Sequence, residues 1–151
     1  MAGLLGGVLG TSVMIVLGVV SEWASGVPPR QLGMILELGF GGPLSTLGSF
    51  GPATVLPLHY VHGALLGVLL SVLIMATSRT RFADRLPDWV TGLAFGAVIS
   101  PVVLALLVAS VTLFLTPGLV GLVFLLHLGF GGTVGGVVQG LRGPCIGQGP
   151  R

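Results

Sequence analysis

Four stretches of this chain are nearly unbroken apolar sequence. They run from about residue 3 to 20, 56 to 76, 89 to 115 and 118 to 141. A helix needs roughly 20 mostly apolar residues to cross a bilayer, so each stretch reads as a spanning helix. No other property of the sequence restricts its folding so severely. In hydrocarbon the backbone has no water to bond to and must satisfy its own polar groups.

Composition agrees. Of 151 residues 53% are hydrophobic and 7% are charged, against roughly 25% charged in an ordinary soluble domain. Ten charged side chains could not cover a water-soluble surface of this size. The sequence therefore predicts an all-α integral membrane protein: one transmembrane domain over residues 1–151, built as a four-helix bundle.

All six basic residues are Arg, and Lys is absent. This fits GC-rich coding and a prokaryotic source. The net charge is only +2, so the basic residues mark topology and not a nucleic-acid partner. Cys145 is the single cysteine; it forms no internal disulfide and reads as a bystander thiol. The first span lacks a basic leader and a distinct cleavage site, so it reads as a retained helix.

The segment Ser78–Asp88 carries Arg79, Arg81 and Arg85. The excess of Arg in cytoplasmic loops places it inside, with both termini; Arg142 and Arg151 in the tail agree. Glu22, Arg30 and Glu37 then fall outside, and Trp23 and Trp89 stand at span ends where interfacial aromatics belong. The expected location is a prokaryotic inner (cell) membrane. Residues 30–56 form a long apolar, Gly/Pro-rich connection. Irregular backbone at membrane depth survives only when buried in protein or lining a cavity. This stretch is therefore expected to be an extra short helix capping the outer face or a re-entrant segment.

Internal repetition takes two forms. Gly6 and Gly10 in the first span match Gly92 and Gly96 in the third at an offset of 86, and the heptads LELGFGG (36–42) and LHLGFGG (126–132) match at an offset of 90. These fit one duplication of a two-helix unit with a small insertion. The pattern H-x3-G-x3-G occurs at His59, Gly63, Gly67 and at His127, Gly131, Gly135, with an offset of 68. That offset does not fit the first duplication, and the two registers compete.

Small residues at i, i+4 let membrane helices approach closely. Gly6/Gly10, Gly63/Gly67, Gly92/Gly96 and Gly131/Gly135 all have this spacing, so each span carries one flat stripe. The plain reading is tight helix packing. The sharper one is a flat macrocycle, a haem or another tetrapyrrole, lying against the stripes. No nucleotide-binding glycine motif follows a strand.

An ionisable residue inside a bilayer is a functional hypothesis by default. His59 and His62 are three apart and share a helix face. His127 lies about nine residues into the fourth span, and all three converge on the outer side. They are the candidate cofactor-binding residues. Imidazole ligates haem and metals, and a metal set would add His127 or Glu37 to His59/His62. The plain alternative is that each bonds a carbonyl or hydroxyl across helices. Glu37 is the one carboxylate inside an apolar run and is the candidate proton or ion residue; burial would raise its pKa. No nucleophile–base set appears, so no active site of its own is expected.

The opening G-G-x-x-G-T (Gly6, Gly7, Gly10, Thr11) and the two H-x3-G-x3-G patterns resemble a loosely defined group of small four-span prokaryotic membrane proteins with Gly-rich helices. The resemblance covers most of the chain; the Gly/Pro stretch 41–57 departs from it. It implies the fold class, and no site residue is carried over from it. Together these features predict a small integral subunit of a larger membrane complex in electron transfer or energy conversion. Its partners would be other membrane-protein subunits and lipids. The alternative is a small transporter or channel with a His/Glu ion or proton site.

Overall fold

A computed structural model describes residues 1–24, 52–77, 86–110 and 117–142. They form helices α1 (Ala2–Ala24), α2 (Pro52–Thr77), α3 (Asp88–Ser110) and α4 (Pro117–Arg142). Each is long and apolar enough to cross a membrane, and the described residues contain no strand. The chain is a multi-pass, all-α membrane protein, as composition required. The expected cap at 30–51 with Glu37, the Arg-bearing residues 79, 81 and 85, and the Cys145 tail lie outside the described residues.

One boundary differs from the sequence expectation, and a second is described only in part. Helix α2 begins at Pro52 and not at residue 56. Pro52 takes the first helical position, where an N–H has no partner to lose. Pro57 then sits inside the helix, and without an N–H it leaves the Ala53 carbonyl without its usual donor. Helix α3 was expected to reach residue 115; it is described to Ser110.

The helices are not equivalent in the bundle. Helix α1 packs along both α2 and α4, and α4 packs along both α1 and α3. Helix α2 meets α4 and α3 over much shorter stretches. The order across the bundle is α2, α1, α4, α3, with α1 and α4 central.

Glycine explains how α1 serves two neighbours. It carries two flat stripes, where the sequence suggested one. Gly3 and Gly7 face α2: a Cβ on Gly7 would lie 2.8 Å from Ala64 Cα, and one on Gly67 would lie 2.5 Å from Gly7 Cα. Gly6 and Gly10 face α4: a Cβ on Gly6 would lie 3.1 Å from Val134 Cα, and one on Gly10 would lie 2.8 Å from the Phe130 ring. Stripes at 3/7 and 6/10 are displaced by three residues, about 300° around a helix of 3.6 residues per turn. They therefore point to different partners.

The α3/α4 seam is built the same way. A Cβ on Gly92 would lie 2.8 Å from the Gly131 carbonyl carbon, and one on Gly131 would lie 2.9 Å from that of Gly92. Gly135 meets Trp89 Cα at 2.7 Å by the same measure. At Gly7, Gly67, Gly92, Gly131 and Gly135 backbone lies on backbone, where an added methyl has no flexible side chain to displace.

Hydroxyls in the seams are satisfied locally. Thr11 Oγ1 donates to the Gly7 carbonyl at 2.9 Å and Ser100 Oγ to that of Gly96 at 2.7 Å, so neither brings an unmet polar group into the apolar interior. The largest buried apolar group joins Leu70 and Ile74 of α2 to Phe130, Val134 and Val138 of α4, with Ala2, Met14, Leu66 and Phe95 against it. It occupies the C-terminal halves of α2 and α4. Beyond it Asp88, in the first turn of α3, pairs with Arg142, in the last turn of α4, at 3.2 Å. Each charge also suits its helix end.

Substitution of these glycines separates seam positions from open ones. Gly92→Ala or Gly7→Ala should lower stability in detergent by about 1–3 kcal/mol through overpacking. Gly136 meets nothing within 4 Å, and Gly136→Ala should be neutral or gain up to about 1 kcal/mol from helix propensity. Thermal unfolding of the purified variants reads the difference; equal losses at all three positions would refute this account of the seams.

Candidate functional site

The three histidines stand in the N-terminal halves of α2 and α4, beyond the buried apolar group. His59 lies seven residues after the start of α2 and His127 ten residues after the start of α4. These helices run in the same direction, so at a rise of about 1.5 Å per residue the two positions differ in depth by about 5 Å. In both helices the histidine stands one turn before a glycine pair, Gly63/Gly67 or Gly131/Gly135. Each imidazole thus stands beside a backbone seam, and the α3/α4 seam continues through the His127 backbone, which meets Gly96.

His127 is fixed to its own helix. Its Nδ1 donates to the Val123 carbonyl one turn back, at 2.7 Å. That bond leaves Nε2 as the nitrogen with a free lone pair. The His127 backbone is locked as well: a Cβ on Gly96 would lie 2.7 Å from the His127 carbonyl carbon. His59 is half-buried, with its Nδ1 shielded. His62, one turn on along the same face, is exposed. All three stand in the N-terminal halves of α2 and α4. The fold therefore places the residues that sequence singled out at one end of the bundle, on two helices that also meet in the buried apolar group.

Among the described residues, the other charged groups of α3 and α4 stand away from the histidines. Asp88 and Arg142 are at the opposite end of the bundle. Among the described residues no group of three or more His, Cys, Asp or Glu is arranged to hold a metal ion. Glu37, the other expected member of such a set, lies outside the described residues.

The glycine stripes do not supply the flat face that a macrocycle needs. Gly6, Gly10, Gly63, Gly67, Gly92, Gly96, Gly131 and Gly135 all meet a neighbouring helix within van der Waals distance of an added Cβ. Their missing side chains are already used to bring helices together. A tetrapyrrole lying along the stripes is therefore corrected to helix packing, because two surfaces cannot occupy one seam.

Sequence reasoning missed one contact beside the cluster. Tyr60 OH and Ser12 Oγ lie 3.1 Å apart and share a hydrogen bond between α2 and α1, while Ser12 Oγ also donates to the Val8 carbonyl. Tyr60 follows His59 in sequence but points to the opposite neighbour. A lone tyrosine in an apolar span was the available signal; its partner, 48 positions away, had none.

Compared with protein-family models, curated proteins and solved structures, the chain matches none.

Tyr60→Phe should keep the fold and lose only the α1/α2 hydrogen bond. Interhelical bonds in membranes average about 0.6 kcal/mol, so the expected loss is under 1 kcal/mol. Ser12→Ala should lose a similar amount and the double variant no more than either. Additive losses in this double-mutant cycle would show that the two hydroxyls act separately.

Proposed function

We propose that the chain is a small integral subunit of a larger membrane complex in electron transfer or energy conversion. Within it the chain would pack against other subunits and lipids and offer three outer-side histidines to a cofactor. The observation that carries this reading is the placing of His59, His62 and His127 at one end of apolar helices, with Nε2 of His127 left to accept a bond. Intramembrane ionisable residues generally mark function, and neutral imidazole is a common ligand of haem iron. Filled glycine stripes put one limit on the proposal. A haem or other tetrapyrrole held here would lie against a partner subunit as well as this chain.

The proposed location is a prokaryotic inner membrane with both termini cytoplasmic. Supporting it are the Arg residues at 79, 81, 85, 142 and 151 and the rule that such residues stay inside. The proposal includes no active site within this chain. It also extends to the small four-span prokaryotic proteins that share H-x3-G-x3-G, which would use the pattern to set an imidazole beside a helix seam.

A second reading, a small transporter or channel with a proton site at the histidines, draws on the same cluster and on the likeness of the two helix pairs. Repeated halves frame the binding site in many transporters. The absence of any acidic residue from the middle of the four described helices speaks against strong ion coupling.

Purification of the native assembly under mild detergent separates the readings. The subunit proposal expects the chain to co-migrate with larger membrane proteins and to carry a Soret band that His127→Ala removes. A colourless chain that runs alone would end it. Proton flux into liposomes from the chain alone, lost in His127→Ala, would favour the transporter.

A further inference from the structure

The two helix pairs can be aligned contact by contact. A Cβ on Gly7 would strike the Gly63 carbonyl, and one on Gly92 would strike the Gly131 carbonyl. Gly67 meets the Gly3 carbonyl as Gly135 meets that of Asp88, and Gly63 meets Thr11 as Gly131 meets Gly96. These three matched contacts share one offset of 85 on the first helix of each pair and one of 68 on the second. Helix lengths agree too: α1 and α3 have 23 residues each, and α2 and α4 have 26 each. The offsets differ because 56 positions separate Gly7 from Gly63 and only 39 separate Gly92 from Gly131. An insertion in the first connection accounts for the difference, so the offset of 68 is kept and the offsets of 86 and 90 give way to one of 85.

The match revises two pairings. Gly92 and Gly96 correspond to Gly7 and Thr11, and not to Gly6 and Gly10, which face α4. His127 corresponds to His59 and not to Glu37.

It also exposes one departure from symmetry. The α1/α4 seam is closed by Phe130 of α4 seated on Gly10 of α1. At the matching place in the α2/α3 seam, His62 stands for Phe130 and Phe95 stands for Gly10. A phenyl ring where the other seam has a hydrogen atom holds the helices apart. Phe95 packs inward against the group formed by Leu70, Ile74, Phe130, Val134 and Val138. Beyond it the counterparts of Val13 and Gly129 are Val98 and Val61, which are 68% and 57% exposed. Residues that close one seam stand open in the other.

We infer that the chain is two copies of one helical hairpin, and that Phe95, in the place of Gly10, wedges the α2/α3 seam open beside the histidines. The repeat register puts His62 at that seam, so the opening would lead from the bilayer to the histidines. The inference rests on packing alone and stands whether or not the subunit proposal does.

Paired cysteines in the full chain test it, in a Cys145→Ser background and in mild detergent. A disulfide needs Cα atoms within about 7 Å. Val13→Cys with Gly129→Cys, across the closed seam, should oxidise readily and serves as the control for folding. Val61→Cys with Val98→Cys, its counterpart, should resist oxidation but be joined by a long-armed bis-maleimide. Adding Phe95→Gly should let the second pair oxidise as the first does. Three outcomes would overturn the inference in a chain whose control pair forms. These are a second pair that neither reagent joins, a second pair that oxidises with Phe95 in place, and a Phe95→Gly variant whose second pair stays open. The first two are read without Phe95→Gly, so a misfolded triple variant does not spare the inference.

Discussion

Two helices in hydrocarbon gain little from hiding apolar side chains from each other, because lipid tails are as apolar as leucine. What holds them is dispersion between closely placed atoms, each contact worth only about 0.1–0.2 kcal/mol. The sum grows only if the backbones come near enough for many such contacts. In this protein glycine sets that distance. Backbone meets backbone at Gly3, Gly7, Gly63 and Gly67 in one pair, and at Gly92, Gly96, Gly131 and Gly135 in the other. Helix order, the central place of α1 and α4, and the position of the histidines all follow from where those seams run.

The seams also explain what the polar groups do. Close backbone approach leaves no room for a side chain needing an interhelical partner, so Thr11 and Ser100 turn back onto their own helices. The histidines stand one turn before each glycine pair, and the His127 backbone still meets Gly96. His127 keeps one nitrogen on its own helix and leaves the other open. Close packing and a polar cluster are therefore consecutive parts of one helix face and do not compete for space. The same geometry removes the flat macrocycle surface that 27 glycines had suggested.

Much of the fold was legible in the sequence, for a physical reason. Length and hydropathy fix a spanning helix almost alone, since the bilayer leaves the backbone few choices. The four helices fall close to the expected stretches. Boundaries were less legible: Pro52 is as good a first residue as Pro57, and propensity does not choose between them. The convergence of the histidines on one end was also readable, because parity of spans puts α2 and α4 in the same direction.

Sequence by itself determined that this is a four-helix membrane protein, that glycine pairs would be packing surfaces, and that three histidines share one end. It did so because those properties depend on composition and on spacing along single helices. Tertiary structure decided which glycine faces which neighbour. Gly6/Gly10 and Gly3/Gly7 have the same spacing, and only packing shows that one pair faces α4 and the other α2. It also decided the repeat: His127 corresponds to His59 because both follow the same seam, whereas the longer seven-letter match to Glu37 has no such support. The asymmetry between Gly10 and Phe95 becomes visible only when both seams are laid side by side, because it lies in contacts between helices and not in either helix alone.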